Sequence, residues 1–430
     1  MAPRPRAAPA TPRSGGRASI DWPTLADNER VTPEDFAALL TPEGRTLLDS
    51  LRDYDPGKEL AVATRLRRDH PAPLVSAALG QARLRQRAVA KFGAEDAFRM
   101  YFTPGGAEMA TRASVAAYRA GRLAALGVRS VADLCCGIGG DALALARRGI
   151  RVLAVDRDPL TAAVARANAA ALGLADLVEV REEDVTAVDT SGYDAVFVDP
   201  ARRGGRGRVF DPEAYSPPLS WAARAAAATP CGAVKIAPGI PHEAVPAGAE
   251  AEWISDHGDV KEAVLWFGTA AADALSGTGP AVRATLLPGP RTLHAAGPLP
   301  PPPVGPVGRY LYEPDGAVIR SHLVAEVAAQ LGGRLIDPTI AYVTADELRA
   351  TPYATAYEIT DVLPFGLKPL KALLRERGVG TLTVKKRGSA IEPEELRRKV
   401  KPQGPNAATV FLTRVAGAPS MLIGGPVSAL

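Results

Sequence analysis

The chain has 430 residues, of which 47% are hydrophobic and 23% charged, and its formal net charge is only +4. This length and composition predict a globular protein of several domains and exclude a disordered chain. So small a net charge does not by itself indicate a nucleic-acid partner. Three cysteines, two of them adjacent, provide no disulfide framework, and no apolar run reaches the roughly 20 residues that span a bilayer. We therefore expect a cytoplasmic protein without membrane segments.

The amino-terminal part of the chain predicts a tail followed by helices. Residues 1–20 are rich in arginine and contain no acid, but their prolines would break the amphipathic helix of a transit peptide, so we expect a disordered tail. Residues 21–99 predict a helical domain, in which Thr32 and Thr41 each place a capping hydroxyl before a proline. A later helix has a basic face, which we interpret as solvated, at Arg83, Arg87 and Lys91.

The pattern of residues 100–270 predicts alternating strands and helices around one glycine-rich loop. A buried strand at 131–134 leads into the loop 135–140, where glycines allow positive φ values and close approach of a ligand. The next strand ends in Asp156, where a parallel αβ unit places an acid for ribose hydroxyls. Two further strands lead to Asp184, placed for an adenine amine, and to Asp199. The strand ends therefore bring several acids to one edge of the sheet.

The acids around the loop indicate the kind of ligand. Asp133 and Asp141 would repel the pyrophosphate of a dinucleotide, which makes a nicotinamide dehydrogenase a distant alternative. They suit a cationic ligand without phosphate, such as S-adenosylmethionine. We predict that the methionine end of this ligand is held by Asp133, Gly137 and Gly139, its ribose by Asp156 and its adenine by Asp184. The neighbouring residues that we also expect in the cofactor site are Cys135, Arg157 and Val185.

These motifs resemble the class I S-adenosylmethionine-dependent methyltransferases, most closely the RNA guanosine N2-methyltransferases that include the cap trimethylguanosine synthases. The family's aromatic-x-x-Thr-Pro stretch is matched by residues 101–104, and its Asp-x-x-Cys-Gly-x-Gly-Gly loop by residues 133–140. The resemblance covers about a quarter of the chain and adds Thr103 to the cofactor site. It implies an α/β, Rossmann-like, seven-stranded sheet, which the predicted hairpin around His257 and Gly258 would close.

The same resemblance implies the catalytic position, Asp199-Pro200, at the end of the fourth strand. In such a motif the acid and the carbonyl of the proline hold the N–H bonds of an exocyclic amine and aim its lone pair at the methyl group. Ala201 and Arg202 replace the second proline and the aromatic residue of the family motif, and the Arg202 guanidinium can also stack on a base. We therefore predict Asp199, Pro200 and Arg202 as catalytic residues that methylate a base nitrogen in RNA.

Arginines, cysteines and histidines are the other side chains that could bind RNA, attack a base or hold a metal. The glycine-rich loop that follows has arginines suited to a phosphate backbone, with a solvated loop as the alternative. These predicted RNA-binding residues are Arg203, Arg206 and Arg208. Cys135 and Cys136 lie in the cofactor loop and Cys231 precedes a strand at the opposite edge, so no cysteine is placed to attack a pyrimidine. The five histidines lack metal-ligand spacing, and we predict no metal site.

The carboxyl-terminal part of the chain predicts two small modules after a spacer. Proline-rich residues 271–308 predict a linker with one strand, residues 309–353 a ferredoxin-like αβ module, and residues 354–430 a basic α+β module. This layout resembles bacterial methyltransferases with a THUMP-like domain, a module associated with RNA. Cations at a helix carboxyl end have an alternative, purely structural explanation, because the helix dipole stabilises them there. The predicted RNA-binding residues here are Lys385, Lys386, Arg387, Arg397, Arg398 and Lys399.

Two other functions stay open at this point. The altered motif at Ala201 and Arg202 motivates one alternative, an RNA-binding protein whose methyltransferase fold has lost catalysis. The other is a protein or small-molecule methyltransferase whose basic modules only keep the chain soluble. Our prediction is a methyltransferase that uses S-adenosylmethionine, with tRNA or rRNA as its partner and with neither a membrane nor a metal.

Overall fold

The computed structural model describes residues 31–204, 207–208, 211–269, 281–295 and 299–427, so the predicted tail at 1–20 lies outside the described residues. The chain divides into two units, Met1–Gly80 and Gln81–Leu430. The first unit is helical where it is described, and α4 continues into the second unit. Its helices are α1 (Pro33–Leu39), α2 (Pro42–Ser50), α3 (Glu59–Leu66) and α4 (Ala72–Ala97), with a 3₁₀ turn at Pro56–Lys58.

The starts of α1 and α2 follow from their capping residues. The Thr32 hydroxyl accepts a hydrogen bond from the Asp35 N–H, and the Thr41 hydroxyl accepts one from the Gly44 N–H, both at 3.1 Å. Each threonine precedes a proline. Proline lacks an N–H, but this costs no hydrogen bond in the first helical turn, where N–H groups have no intrahelical partner. The two predicted caps are therefore confirmed.

After the end of α4, the second unit has two helices and then a nine-stranded sheet. Glycine-rich turns and short apolar runs alternate along this part of the chain, which is the pattern of parallel strands covered by helices on both faces. Its elements are α5 (Pro104–Met109), α6 (Ala113–Ala125), β1 (Ser130–Leu134), α7 (Gly140–Ala146), β2 (Arg151–Asp156), α8 (Pro159–Ala171), β3 (Val178–Glu182), β4 (Ala195–Val198), β5 (Arg203–Gly204), β6 (Gly207–Arg208), α9 (Leu219–Ala227), β7 (Cys231–Ile236), β8 (Glu250–Asp256), β9 (Asp259–Phe267), β10 (Val282–Leu287) and β11 (Arg291–Ala295), with 3₁₀ turns at Val185–Ala187, Pro212–Ala214 and His242–Ala244.

Seven of these strands have the order β3-β2-β1-β4-β7-β9-β8, and β5 pairs only with β6. β9 runs antiparallel to both of its neighbours, so the predicted seven-stranded sheet with its closing hairpin is confirmed. His257 and Gly258 have φ values of 53° and 83° in the two-residue turn between β8 and β9. Positive φ at both positions matches the twist of a tight antiparallel hairpin.

The region predicted as a linker differs from the expectation. β10, the one strand predicted there, pairs in parallel with β8, and β11 pairs antiparallel with β10, so both strands extend the sheet to nine. The proline content of residues 271–308 suggested a spacer. Composition does not reveal that the outer edge of β8 is open to pairing, and this edge decides where the segment lies.

A second, seven-stranded sheet follows, with the order β13-β14-β12-β15-β18-β17-β16. β12 pairs with β15, so the two modules predicted at 309–353 and 354–430 share one sheet. The helical stretch between residues 316 and 331 is interrupted at His322, whose φ is 61°. The elements are β12 (Tyr310–Pro314), α10 (Gly316–Arg320), α11 (Val324–Leu331), β13 (Arg334–Asp337), β14 (Ile340–Ala345), β15 (Ala354–Pro364), α12 (Leu367–Glu376), β16 (Val379–Lys386), α13 (Pro393–Val400), β17 (Asn406–Val415) and β18 (Ala418–Pro426).

The helices were also compared with the requirements of a membrane span. In the described ranges, none is both long and apolar enough to cross a bilayer.

Candidate active site

A cavity of about 590 Å³ opens at the carboxyl ends of β2, β4 and β7, beside α5 and the glycine-rich loop. The parallel strands all end at this edge, which is where open α/β sheets bind ligands. The cavity brings together residues that lie far apart in the chain. The predicted site residues that line it are Thr103, Cys135, Gly137, Asp156, Asp199, Pro200 and Arg202.

The cofactor loop is held open by its backbone conformation and by Asp156. Gly137 and Gly139 have φ values of 56° and 88°, a region that favours glycine, and Cys135 adopts 65°. The Asp156 carboxylate accepts hydrogen bonds from the N–H groups of Gly137 and Asp158, both at 3.0 Å. Asp156 therefore shapes the loop as well as lining the cavity.

The predicted Thr103 stretch packs directly against this loop. The Thr103 hydroxyl accepts a hydrogen bond from the Gly106 N–H at 3.0 Å and caps α5. A Cβ on Gly106 would lie 2.3 Å from the Ile138 side chain, so only glycine permits this approach. Asn168, which the sequence analysis did not identify, is buried and donates to the carbonyl oxygens of Tyr101 and Ile138. It ties the stretch to the loop.

Lys91 differs from its predicted place on a solvated face. Its ammonium group donates to the carbonyl oxygens of residues 107, 108 and 110 at the end of α5, and the side chain lines the cavity. Burial, with the positive charges of Lys235 and Arg112, lowers the pKa of Lys91 to about 8. Helical spacing showed which positions share a face, but it could not show that α5 packs near this one.

Asp133 supplies the clearest test of whether the site fits a cationic cofactor. The residue is fully buried in β1, and neither carboxylate oxygen has a hydrogen-bond partner among the described residues. Burial and the negative charges of Asp141 and Asp199 raise the pKa of Asp133 well above its usual range. A buried carboxyl without a partner is costly, and a cationic group would compensate that cost. The site therefore fits S-adenosylmethionine, whose sulfonium and amino groups carry positive charge.

Asp199 has a partner that the sequence did not reveal. The Lys235 ammonium, at the end of β7, lies 2.6 Å from Asp199 Oδ2 and 2.9 Å from Thr111 Oγ1. Burial lowers the pKa of Lys235, but the Asp199 carboxylate raises it, and the net shift is upward. No hydrogen bond to Asp199 Oδ1 occurs within the described residues, and Asp199 is partly exposed to the cavity. One carboxylate oxygen is therefore held by Lys235, in a residue that lines the cavity.

A second buried cation lies next to this pair. The Arg119 guanidinium binds the carboxylates of Asp141 and Glu262 and lies over the Phe197 ring, with its central carbon 4.4 Å from the ring centroid. We call the five charged residues at this edge the rim cluster. Its members are Arg119, Asp141, Asp199, Lys235 and Glu262.

Five predicted cofactor residues do not line the described cavity, and the fully buried Asp133 is one of them. Asp184 is exposed and accepts hydrogen bonds from Thr186, which lower its pKa. Val185 is buried in the core. Arg157 is exposed, and its positive charge acts to lower the pKa of the nearby Cys135, Asp156 and Asp184. Gly139 precedes α7 and contacts α8 through Ala165. Their roles toward the adenine or the methionine end stay predictions.

The arginine-rich loop is described only in part. Arg203 and Arg208 are opposite each other in the short β5–β6 pair, whereas the predicted Arg206 lies outside the described residues. This hairpin directly follows Arg202, which lines the cavity. The loop therefore begins at the active-site edge.

The predicted cations of the carboxyl-terminal module mostly pair with acids. Lys385 and Arg387 both approach Glu313, and Lys386 lies 2.5 Å from Glu392. Arg397 binds Glu394 and the Leu382 carbonyl, Lys399 binds Glu395, and Arg398 is exposed. RNA phosphates would have to compete with these carboxylates.

The sequence analysis did not single out a basic face on α12. Its residues at i, i+3 and i+7 are exposed and lie opposite the buried Leu370 and Leu374. No ion pair of these cations occurs in the part of the chain that the structure describes. They are Lys368, Lys371 and Arg375.

The cysteines lie either in the cofactor loop or at the opposite edge of the sheet. Burial raises the pKa of the Cys135 and Cys136 thiols in the cofactor loop. Cys231 begins β7 and so lies at the opposite edge of the sheet. Within the described ranges, no three His, Cys, Asp or Glu side chains are arranged to hold a metal ion.

Comparison with known proteins agrees with this geometry. Family models described as "Methyltransferase domain", "THUMP domain-like" and "Domain of unknown function" match residues 131–201, 354–426 and 32–88. An uncharacterized S-adenosylmethionine-dependent methyltransferase of Mycobacterium tuberculosis H37Rv is 36% identical over 345 residues, which are 77% of this chain and 90% of that protein.

Two further similarities are more limited. The 23S rRNA (uracil(1939)-C(5))-methyltransferase RlmD of Edwardsiella ictaluri is 42% identical over 93 residues, which are 20% of this chain and 21% of RlmD. The crystal structure of a putative methyltransferase from Porphyromonas gingivalis W83 has a TM-score of 0.67 and 21% identity, and the match covers 87% of this chain and 100% of that one. The latter shows the fold alone. From the M. tuberculosis relative and the matched domain models, the chain belongs to the S-adenosylmethionine-dependent methyltransferases and carries a THUMP-like domain.

Proposed function

We propose that this methyltransferase modifies a nitrogen atom of a base in RNA. The observation that carries the proposal is that Asp199 and Pro200 line the same cavity as the cofactor loop, at the carboxyl end of β4. A carboxylate and a neighbouring carbonyl are the groups that can hold the N–H bonds of an amine. The reaction then depends on positioning more than on a strong base.

The pairing of Asp199 supports this role. S-adenosylmethionine supplies a methyl group on a positively charged sulfur. Lys235 holds Asp199 Oδ2, which leaves Oδ1 to accept an N–H from the target. The Pro200 carbonyl would accept the second N–H, and the proton released after transfer can reach water through the partly exposed Asp199.

RNA is favoured as the substrate by a cavity residue and by the carboxyl-terminal domain. Arg202 lines the cavity, and its guanidinium can stack on a base or bind a phosphate. The THUMP domain-like match covers most of the second sheet. RlmD, the partial relative, is named for methylation of rRNA.

A nitrogen target is favoured over a pyrimidine carbon by the cysteines. Activation of a pyrimidine carbon calls for a thiolate that attacks the ring. Cys135 and Cys136 have raised thiol pKa values in the cofactor loop, and Cys231 is at the other edge of the sheet. We infer that the chain does not share the carbon target named for RlmD.

Nucleoside mass spectrometry of total RNA from cells with and without the gene tests the proposal. We expect the loss of one nucleoside that is methylated on a base nitrogen. The wild-type gene should restore it, whereas the gene for Asp199→Ala should not. An unchanged nucleoside profile would instead favour a protein or a small molecule as the substrate.

A further inference from the structure

Three aromatic rings form a stack that runs from the core to the surface. The His242 ring lies on the Trp253 ring with centroids 4.8 Å apart and planes inclined by 14°. The His322 ring lies on His242 with centroids 3.8 Å apart and planes inclined by 4°. Trp253 is fully buried in β8, His242 is half-buried and His322 is exposed. The stack therefore ends in an aromatic ring at the surface.

Hydrogen bonds fix two rings of this stack in place. The Trp253 indole N–H donates to the Pro238 carbonyl at 3.0 Å, and the His242 Nε2 atom lies 2.8 Å from the Arg320 carbonyl. Pro238 follows Lys235 closely in the chain, and Lys235 lines the cavity and holds Asp199. The three rings thus come from three places in the chain: His242 from the segment after β7, Trp253 from β8 and His322 from the turn between α10 and α11.

The backbone at His322 gives an independent reason to consider a role for its ring. Its φ of 61° lies in the left-handed region, where glycine is favoured and a side chain adds strain. Strained residues of this kind occur often at functional sites. Partial desolvation and the neighbouring His242 lower the pKa of His322.

A cation without a partner lies next to the stack. Arg320 is exposed, and its guanidinium makes no hydrogen bond or ion pair among the described residues. One of its terminal nitrogens lies 3.6 Å from the place that a Cβ on Gly239 would take. An exposed guanidinium therefore lies on the residues that flank the aromatic rings.

We propose that His322 is the outer end of a stacking platform for an unpaired base of the substrate RNA, and that Arg320 binds an adjacent phosphate. The inference rests on the proposed function, because it takes RNA as the substrate. Unpaired bases stack on aromatic rings whatever their identity, and arginine binds the neighbouring backbone. The platform would hold an unpaired nucleotide of the substrate outside the cavity, and it would favour single-stranded over duplex RNA.

Substitutions at His322 can separate stacking from folding. His322→Asn removes the aromatic ring but keeps a residue that tolerates the left-handed backbone. His322→Gly removes the ring and relieves the backbone strain, so this variant should unfold at the same temperature as the wild type or higher. His322→Tyr keeps an aromatic ring and is the matched control. Thermal unfolding of all three variants shows that each is folded.

Fluorescence anisotropy with a labelled single-stranded RNA oligonucleotide of mixed sequence measures the platform. We expect His322→Asn and His322→Gly to bind about tenfold more weakly than the wild type, while His322→Tyr stays within about threefold of it. The same RNA annealed to its complement should show no such difference. Arg320→Gln should reduce the slope of log affinity against log salt by about one.

The outcomes distinguish this inference from the proposed function. If the wild type binds the single strand and His322→Asn binds it equally well, the platform is overturned and RNA stays the proposed substrate. If the wild type binds no RNA, the proposed function is overturned and the platform with it. Weak binding by His322→Tyr as well as by His322→Asn would also contradict a role for the aromatic ring.

Discussion

The rim cluster and the ion pairs of the second sheet contain the same kinds of charge in opposite surroundings. The side chains of Arg119 and Glu262 are 1% and 3% exposed, whereas those of Lys386 and Glu392 are 30% and 67% exposed. A buried charge that loses its partner stays in a medium of low polarity, but an exposed one is solvated by water. The first group should therefore maintain the structure of the site, and the second can exchange carboxylates for phosphates at little cost.

The largest effect should come from breaking the rim cluster. Arg119→Met leaves Asp141 and Glu262 buried without their cation, and we expect the free energy of unfolding to fall by about 3–5 kcal/mol. Arg147→Met is the matched control, because Arg147 makes two 2.6 Å bonds to Asp96 but is 45% exposed. Its loss should cost at most about 1 kcal/mol in urea unfolding. Equal losses in the two variants would contradict the comparison.

A smaller effect is expected at the cofactor loop. Asp156→Ala removes a predicted ribose contact together with the bonds to Gly137 and Asp158, and it should weaken S-adenosylmethionine binding by about 1.5–3 kcal/mol. The exposed Asp176 provides a control of equal charge outside the cavity, and its replacement by alanine should change little. Calorimetry that finds an unchanged affinity for Asp156→Ala would rule the assignment out.

Asp133 should make cofactor binding depend on pH. Because the pKa of Asp133 is raised, the folded protein without cofactor keeps this proton at pH values where the unfolded chain has released it. Stability without cofactor should therefore decrease as the pH rises between the ordinary and the raised pKa. A cationic ligand favours the ionised carboxylate, so its affinity should rise over the same range, by at most about tenfold per pH unit.

Asp133→Asn tests this coupling, because the amide does not titrate. Calorimetry at several pH values should show a flatter dependence of S-adenosylmethionine affinity in the variant than in the wild type. Parallel curves for the two proteins would show that another group causes the dependence.

The smallest effect on stability is expected for the exposed pairs. Replacing Lys386 and Lys399 with glutamine should each change the free energy of unfolding by less than about 1 kcal/mol. If the lysine contacts a phosphate, each replacement should also reduce the slope of log RNA affinity against log salt concentration by about one. If the salt dependence is unchanged, Lys371→Gln is the next test, because α12 presents cations that have no acid partner among the described residues.

Much of the first sheet could be predicted because its causes are local. The buried strand before the loop, the glycines at positive φ and the two-residue turn at His257 and Gly258 all leave a pattern within a short window. Asp199 and Asp156 were placed at the correct edge because parallel strands end together. The THUMP-like module was predicted from the resemblance of the domain layout, and the family model also matches it.

The rest depends on pairs that are distant in sequence. Lys235 contacts Asp199, and Arg119 contacts Glu262, because the folded sheet brings them together. The spacing of these residues in the sequence predicts neither contact. The same reason explains β10 and β11, because their position is set by the edge of β8 rather than by their own composition. The single sheet that joins β12 to β15 likewise crosses a boundary that composition suggested.

The central claim is tested most directly by methyl transfer with purified protein. The full chain is incubated with labelled S-adenosylmethionine and total RNA from cells that lack the gene, and the nucleosides are then separated by mass spectrometry. We predict label in one nucleoside, on a base nitrogen, with the wild type and none with Asp199→Ala. Label on a ring carbon or on ribose, no label in RNA, or equal transfer by Asp199→Ala would contradict the account.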